Sequence, residues 1–95
     1  MEFDWDAANV EHVQAHGVTP EEAAETFSSF RLKTKEQEID GEARSVFLGQ
    51  TATGQILVVV YAVRNGKIRV VTAFSAKRKL RRLYMEAQNA QEAGS

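Results

Sequence analysis

Cysteine is absent from the 95 residues. Its absence excludes a disulfide framework, a thiol nucleophile and a zinc–thiolate site, and leaves the compartment open because cytosolic proteins need no cystine. No apolar run exceeds the eight residues from Ile56 to Val63, far short of the ~20 that a membrane-spanning helix requires. The start of the chain is acidic, with Glu2, Asp4 and Asp6, where a secretory leader would be basic, so the expected location is the cytoplasm and no membrane is expected as a partner. A phosphate-cradling glycine loop, a nucleophile elbow and zinc-ligand spacing are also missing. Over one long stretch, from Arg44 to Met85, acidic side chains are missing as well.

That last absence polarises the chain. Residues 1 to 43 carry eleven Asp/Glu against Arg31, Lys33 and Lys35, whereas residues 44 to 85 carry nine Lys/Arg, so the net charge of -1 conceals an acidic half and a cationic half. A stretch without carboxylates concentrates a positive field that attracts polyanions and neutralises phosphates, the sequence-independent part of nucleic-acid affinity. The competing expectation is that the acidic half folds back over the basic half and compensates it. A chain this short forms one domain, expected over residues 1–88 with a polar, disordered tail at 89–95. Such a domain buries only ~60 to 65% of its unfolded surface, so chemistry is expected on a shallow face.

Phe3 and Trp5 alternate with polar residues and suit a short extended entry before Asp6, a good N-cap. A helix follows from Ala7, with Val10 and Val13 on one face and Gly17 placed to end it after His16. Thr19, Pro20 and Glu22 then form a capping box with proline at N1, opening a second helix that runs through Ala23, Ala24 and Phe27 to about Ser28 or Ser29. The exposed residues of this pair are acidic, which argues against DNA binding by it. An edge strand is expected at Phe30 to Thr34, then a solvated loop through Asp40 and Gly41, and another strand from Arg44 to Gly49. Gln55 to Val63 reads as a central strand covered on both faces.

Asn65-Gly66 is a strong hairpin signal, because a type I′ turn needs positive φ at both central residues. Pairing Arg64 with Lys67 places Leu57, Val59, Tyr61, Val63, Ile68, Val70, Thr72 and Phe74 on one face, expected to meet the helices. Val58, Val60, Ala62, Val71 and Ala73 fall on the other face, with Arg64, Lys67 and Arg69 towards the turn. Ser75 is placed to cap a last, basic helix carrying Leu80, Leu83, Tyr84 and Ala87 on its apolar stripe. The expected class is α+β: two N-terminal helices packed on a small antiparallel sheet, closed by a basic C-terminal helix.

Eight of the twelve basic residues lie between Arg64 and Arg82. Such a constellation faces a phosphodiester well, since Arg and Lys hold the ground-state phosphate and stabilise the charge that develops when a ribose 2′-hydroxyl attacks it. For Lys79 and Arg82 a solvated helix face is an equally good reading. Arg64 and Arg69 stand on strands beside apolar residues, where placing a charge costs more. His12 and His16, at i and i+4, have metal-chelating spacing, but no third ligand is evident, and His16 reads better as a helix-terminal side chain. His16 and Tyr84 are the proton-transfer candidates, besides carboxylates of the acidic half. Trp5 is read as core rather than a base-stacking platform.

The run Phe3-Asp4-Trp5-Asp6, Asn9, His12 and His16-Gly17-Val18-Thr19-Pro20-Glu21-Glu22, followed by Val59-Val60-Tyr61, Arg64, Ile68-Arg69 and Arg81-Arg82-Leu83-Tyr84, resembles the BrnT toxin family. The resemblance covers residues 3 to about 86. It implies a RelE-like fold, a bacterial type II toxin that cleaves RNA as an endoribonuclease without a metal or other cofactor, and inhibition of translation. It also implies a cognate antitoxin, BrnA, similar to ribbon-helix-helix repressors, through which alone the toxin would be brought to DNA. Carried over residue by residue, it points to Arg64, Arg69, Arg78, Arg81 and Arg82, with His16 and Tyr84 as associated polar positions. Together with the charge pattern this assigns Arg64, Arg69, Arg78, His16 and Tyr84 to catalysis and Lys67, Lys77, Lys79, Arg81 and Arg82 to RNA binding. Two positions depart from the family pattern: Phe74 stands where an arginine is usual, and Leu80 where a glutamate is. One cation and one carboxylate candidate are thereby lost. The rival readings are accordingly a weakened or inactive relative that binds RNA or an antitoxin-like partner, and a small homodimer joined through the strip Val58, Val60, Val71 and Ala73. Steep salt dependence separates RNA binding from apolar dimerisation.

Overall fold

The structure is a computed structural model and describes residues 2–94. Asp6 opens helix α1 (Ala7–Ala15) by accepting the amide of Asn9 at 2.8 Å. Gly17, at φ +75°, turns the chain, and Thr19 and Glu22 complete the expected capping box of α2 (Pro20–Glu25). A single 3-10 turn, Thr26–Ser28, extends it. Four antiparallel strands follow in simple meander order: β1 (Leu32–Ile39), β2 (Glu42–Gln50), β3 (Ile56–Arg64) and β4 (Lys67–Ser75). Helix α3 (Arg78–Ala93) ends the chain. The entry segment is extended, and Phe3 makes one parallel bridge to Ile68 on the outer edge of β4.

The sequence-based expectation of an α+β chain holds, with four local differences. Residues expected to form a solvated loop continue β1 to Ile39. Asp40 and Gly41, both at positive φ, are a second two-residue hairpin turn of the same chemistry as Asn65-Gly66, and the alternating charges of β1 suit an exposed edge strand that must not pair further. The tail expected from residue 89 is helical to Ala93; Met1 and Ser95, at the ends of the expected ranges, lie outside the described residues. Ser75 does not cap α3: the N-cap is Lys77, without a side-chain hydrogen bond, and the Ser75 hydroxyl accepts Gln55 Nε2 at 2.7 Å.

The last hairpin has the expected pairing, Arg64 with Lys67, but only as far as Tyr61 with Val70. Val60 then faces Thr72, so Val71 is an extra residue in β4. Such a bulge reverses which face the following residues occupy. Ala73 therefore joins the α1/α2 side and is fully buried there, while Thr72 and Phe74 change to the α3 side. The apolar strip expected at Val58, Val60, Val71 and Ala73 is thus not one surface.

Each sheet face has its own core. Val13, Val18, Ala23, Phe27, Phe47, Leu57, Val59 and Val70 fill the α1/α2 side. The Phe27 ring stands edge-on to Phe3, Phe47 and Tyr61 at 5.1, 4.9 and 5.2 Å, contacts that add roughly 0.5 to 1.5 kcal/mol each beyond area burial. Gly49 lets the 3-10 turn approach β2, since a Cβ there would lie 2.8 Å from Thr26 Cβ. On the other face Val46, Leu48, Ile56 and Val58 receive Tyr84 from α3. That helix covers only part of the sheet, leaving an open groove of about 450 Å³ lined by Val46, Val58, Val60, Phe74 and Leu80 with Lys35 and Gln37.

Candidate nucleic-acid interface

Basic residues gather at two ends of the sheet, and their electrostatic situations differ. At the Asn65-Gly66 end, Glu42 accepts Arg44 Nε at 3.1 Å and Arg64 Nη2 at 2.5 Å. Arg69 pairs with Asp6 at 3.1 Å, and Lys67 reaches Glu2 at 3.8 Å. Hydrogen bonds from Arg64 first, then Arg44, hold the Glu42 carboxyl below its ordinary value of 4.5, so it stays ionised and is a poor proton carrier near neutrality. Here the acidic half does fold back on the basic half, and four cations are held by three carboxylates.

At the other end, α3 opens with Arg78, Lys79, Arg81 and Arg82 and no acidic residue in its first turn. Together with Lys77 these side chains make no hydrogen bond or ion pair among the described residues. The arrangement opposes the helix dipole, whose N-terminal end favours anions and disfavours cations by roughly 0.3 to 1 kcal/mol each. Arg78, Arg81 and Arg82 stand over a concavity of about 480 Å³ floored by Gln55, Ile56, Ser75 and Ala76. Uncapped first-turn amides beside three guanidiniums form a surface on which a bound phosphate would satisfy both.

The sequence-predicted residues are therefore only partly brought together. Seven positions of β3 separate the Arg64–Lys67 pair from the Leu57–Ser75 pair next to α3, about 23 Å at ~3.3 Å per residue. Arg64 and Arg69 do not share a site with Arg78. His16 falls at the α3 end: its exposed ring lies 5.7 Å from that of Phe74, one residue before Ser75. Tyr84, expected to move protons, is fully buried and donates its hydroxyl to the Phe30 carbonyl at 2.7 Å; it anchors α3 and has no exposed surface for a substrate. Lys79 and Arg82 also flank a shallow strip with Leu80, Leu83 and Glu86 on the outer side of α3. His12 lies with Nδ1 3.4 Å from the Val71 carbonyl, and among the described residues no group of three His, Asp or Glu side chains is gathered to hold a metal.

Glu42 and Arg44 were not singled out from the sequence. The available signal was Asp40-Gly41, which as a tight hairpin fixes both on the strand facing Arg64. Nor did the sequence show that Phe74 and Leu80, the two departures noted above, would line one groove.

A family profile described as "Ribonuclease toxin, BrnT, of type II toxin-antitoxin system" matches residues 5–79, the greater part of the chain. No curated protein matches it significantly. Among the described residues no helix is long and apolar enough to cross a membrane.

Proposed function

The chain belongs to the BrnT family of ribonuclease toxins of type II toxin–antitoxin systems, and we propose that it is an endoribonuclease that binds RNA on the first turns of α3 and cleaves it without a resident metal. The uncompensated cationic turn of α3 over its concavity carries this reading. Arg78, Arg81 and Arg82 hold one phosphodiester and stabilise the charge on its non-bridging oxygens as a ribose 2′-hydroxyl attacks phosphorus. The 2′-oxygen–phosphorus bond forms, the bond from phosphorus to the 5′-oxygen breaks, and a 2′,3′-cyclic phosphate is left. One proton leaves the 2′-hydroxyl and one is delivered to the 5′-oxygen. His16, exposed at this end of β4, belongs to the residue type that exchanges protons near neutral pH, and it takes that role. Lys77 and Lys79 extend the footprint along the RNA backbone. A protein antitoxin is the partner that keeps such a toxin silent, and inhibition of translation is the outcome of cleavage.

The test is cleavage of an end-labelled RNA by the purified chain in excess chelator. Wild type and a folded Arg64→Ala/Arg69→Ala variant should both cleave. Arg78→Ala/Arg82→Ala should lose ~10² or more, the scale seen when transition-state donors are removed. Wild-type rates from the α3 variant, or cleavage abolished only by the turn-end pair, would move the site to the Asn65-Gly66 end.

Phe74 and Leu80 favour a second reading. Both add apolar surface to the open groove where the family pattern would place charge, as expected of a relative that retains the binding surface with weakened chemistry. RNA binding without cleavage in the same assay, with and without ribosomes, would select it.

A further inference from the structure

A second concavity opens on the α1/α2 side of the sheet, across the layer from α3. It is lined by Arg31, Lys33, Ser45, Phe47 and Tyr61 and encloses about 250 Å³. Neither the charge pattern nor the family resemblance pointed to it.

Its polar groups are unusually unoccupied. The Arg31 guanidinium lies 5.7 Å from the ring centroids of both Phe27 and Phe47, and it forms no ion pair among the described residues. Cation–π contact fixes such a group without using its in-plane donors. Ser45 and Tyr61 are direct partners across β2 and β3, so their side chains emerge side by side. Neither hydroxyl has a hydrogen-bond partner among the described residues. Lys33 stands over Phe47 in the β1–β2 register. Among the described residues its only ion-pair partner is Glu36, and both side chains are more than half exposed, so the pair is readily exchanged for a stronger anion. Edge-on contacts of Tyr61 with Phe27 and Phe47 at 5.2 and 5.7 Å hold its half-buried ring in place.

Two cations, two open hydroxyls and an immobilised aromatic ring around one small space define a ligand that is anionic at one end and planar at the other. We infer that this pocket binds a single phosphorylated nucleotide, with its phosphate on Arg31 and Lys33, its base against Tyr61, and Ser45 with the Tyr61 hydroxyl reading polar atoms between them. At about 250 Å³ the space is below the ~300 to 1,000 Å³ of pockets that enclose whole small molecules. It takes one unit, with the rest of the ligand outside. A free mononucleotide and one nucleotide of a single strand present this same chemistry, and stacking of a base on an aromatic ring serves either.

The experiment is an NMR titration of the full chain, following backbone amides and the Arg31 Nε–H, with adenosine and uridine 5′-monophosphates, inorganic phosphate and a short single-stranded DNA. None of these has both the 2′-hydroxyl and the scissile phosphodiester that cleavage needs, so the result is independent of whether the chain is a nuclease. Saturable shifts at Arg31, Ser45 and Tyr61 with the mononucleotides, weaker with phosphate alone, are expected. Tighter binding of the DNA through the same residues identifies a strand as the ligand, and equal or weaker binding identifies a free nucleotide. Arg31→Gln should weaken binding about tenfold or more, the ~1.4 kcal/mol of a lost charged contact. Ser45→Ala and Tyr61→Phe, which keep the fold, should weaken it by smaller factors. Absence of saturable shifts, shifts confined to α3, or undiminished affinity in folded Arg31→Gln would overturn the assignment.

Discussion

Arg69 on β4 forms an ion pair with Asp6 at 3.1 Å, while the other carboxylate oxygen of Asp6 caps α1 through the Asn9 amide. One side chain thus ties the outer edge of the sheet to the start of the first helix. Arg69→Ala should remove only a partly exposed pair, costing about 0.5 to 1 kcal/mol after solvent screening. Asp6→Ala removes the cap as well and should cost about 1 to 2 kcal/mol. Thermal unfolding of both single variants and the double variant measures the coupling; equal losses from the two single variants would show that the cap contributes nothing.

Tyr84→Phe separates an anchor from a proton carrier. Loss of the hydrogen bond to Phe30 should lower stability by about 1 kcal/mol, a fall of roughly 4 to 8 °C in Tm for a chain of this size. RNA cleavage per folded molecule should be unchanged. Abolished cleavage at preserved stability would instead return the phenol to the chemistry.

Glu42 gives the fold an acid-sensitive joint. Its carboxyl titrates below the ordinary 4.5 because Arg64 and Arg44 hydrogen-bond to the ionised form. A depressed folded-state pKa contributes stability that is present above the unfolded value and is lost as pH falls through the folded value. Glu42→Gln should therefore be less stable than wild type near neutrality, with the difference shrinking as pH drops below 4.5. Urea midpoints across that range test it, and a pH-independent difference would rule out the ion pairs as the cause.

Phe74→Arg places a cation at the end of β4 beside which the His16 ring lies. Phe74 is 37% exposed, so the change should leave the fold intact. If Phe74 limits a nuclease centred on α3, cleavage should rise, and RNA affinity should fall more steeply with salt, by about 0.7 in log–log slope for one added phosphate contact on a single strand. An unchanged slope would place residue 74 outside the RNA path.

Local chemistry made much of this architecture legible in the sequence. Asp6, the Thr19–Glu22 capping box and Asn65-Gly66 each satisfy or set backbone geometry within a few residues, and all three appear where expected. What was hidden depends on distant partners. Charged Lys35 to Ile39 looks like a loop until Asp40-Gly41 folds it onto β2. Tyr84 lies on a periodic stripe, but its burial is decided by a carbonyl 54 residues away. The cationic half could be counted, yet the split between compensated Arg64 and Arg69 and uncompensated Arg78, Arg81 and Arg82 requires knowing which carboxylates cross the fold. The pocket at Arg31 draws on three strand regions, and of its lining only Tyr61 lies in a run that carried the family resemblance.

Val71 behaves like a single-letter insertion in a message read two letters at a time. Upstream of it β4 is read in one frame against β3, and downstream in the other. Were Val71 instead to pair with Val60 in an unbulged ladder, the first frame would run on, turning Phe74 under α1 and Ala73 out into the groove. The short link Ala76–Lys77 would then launch α3 from the opposite phase of the pleat. The layer in which the cationic helix lies is thus set by the parity of a nine-residue strand.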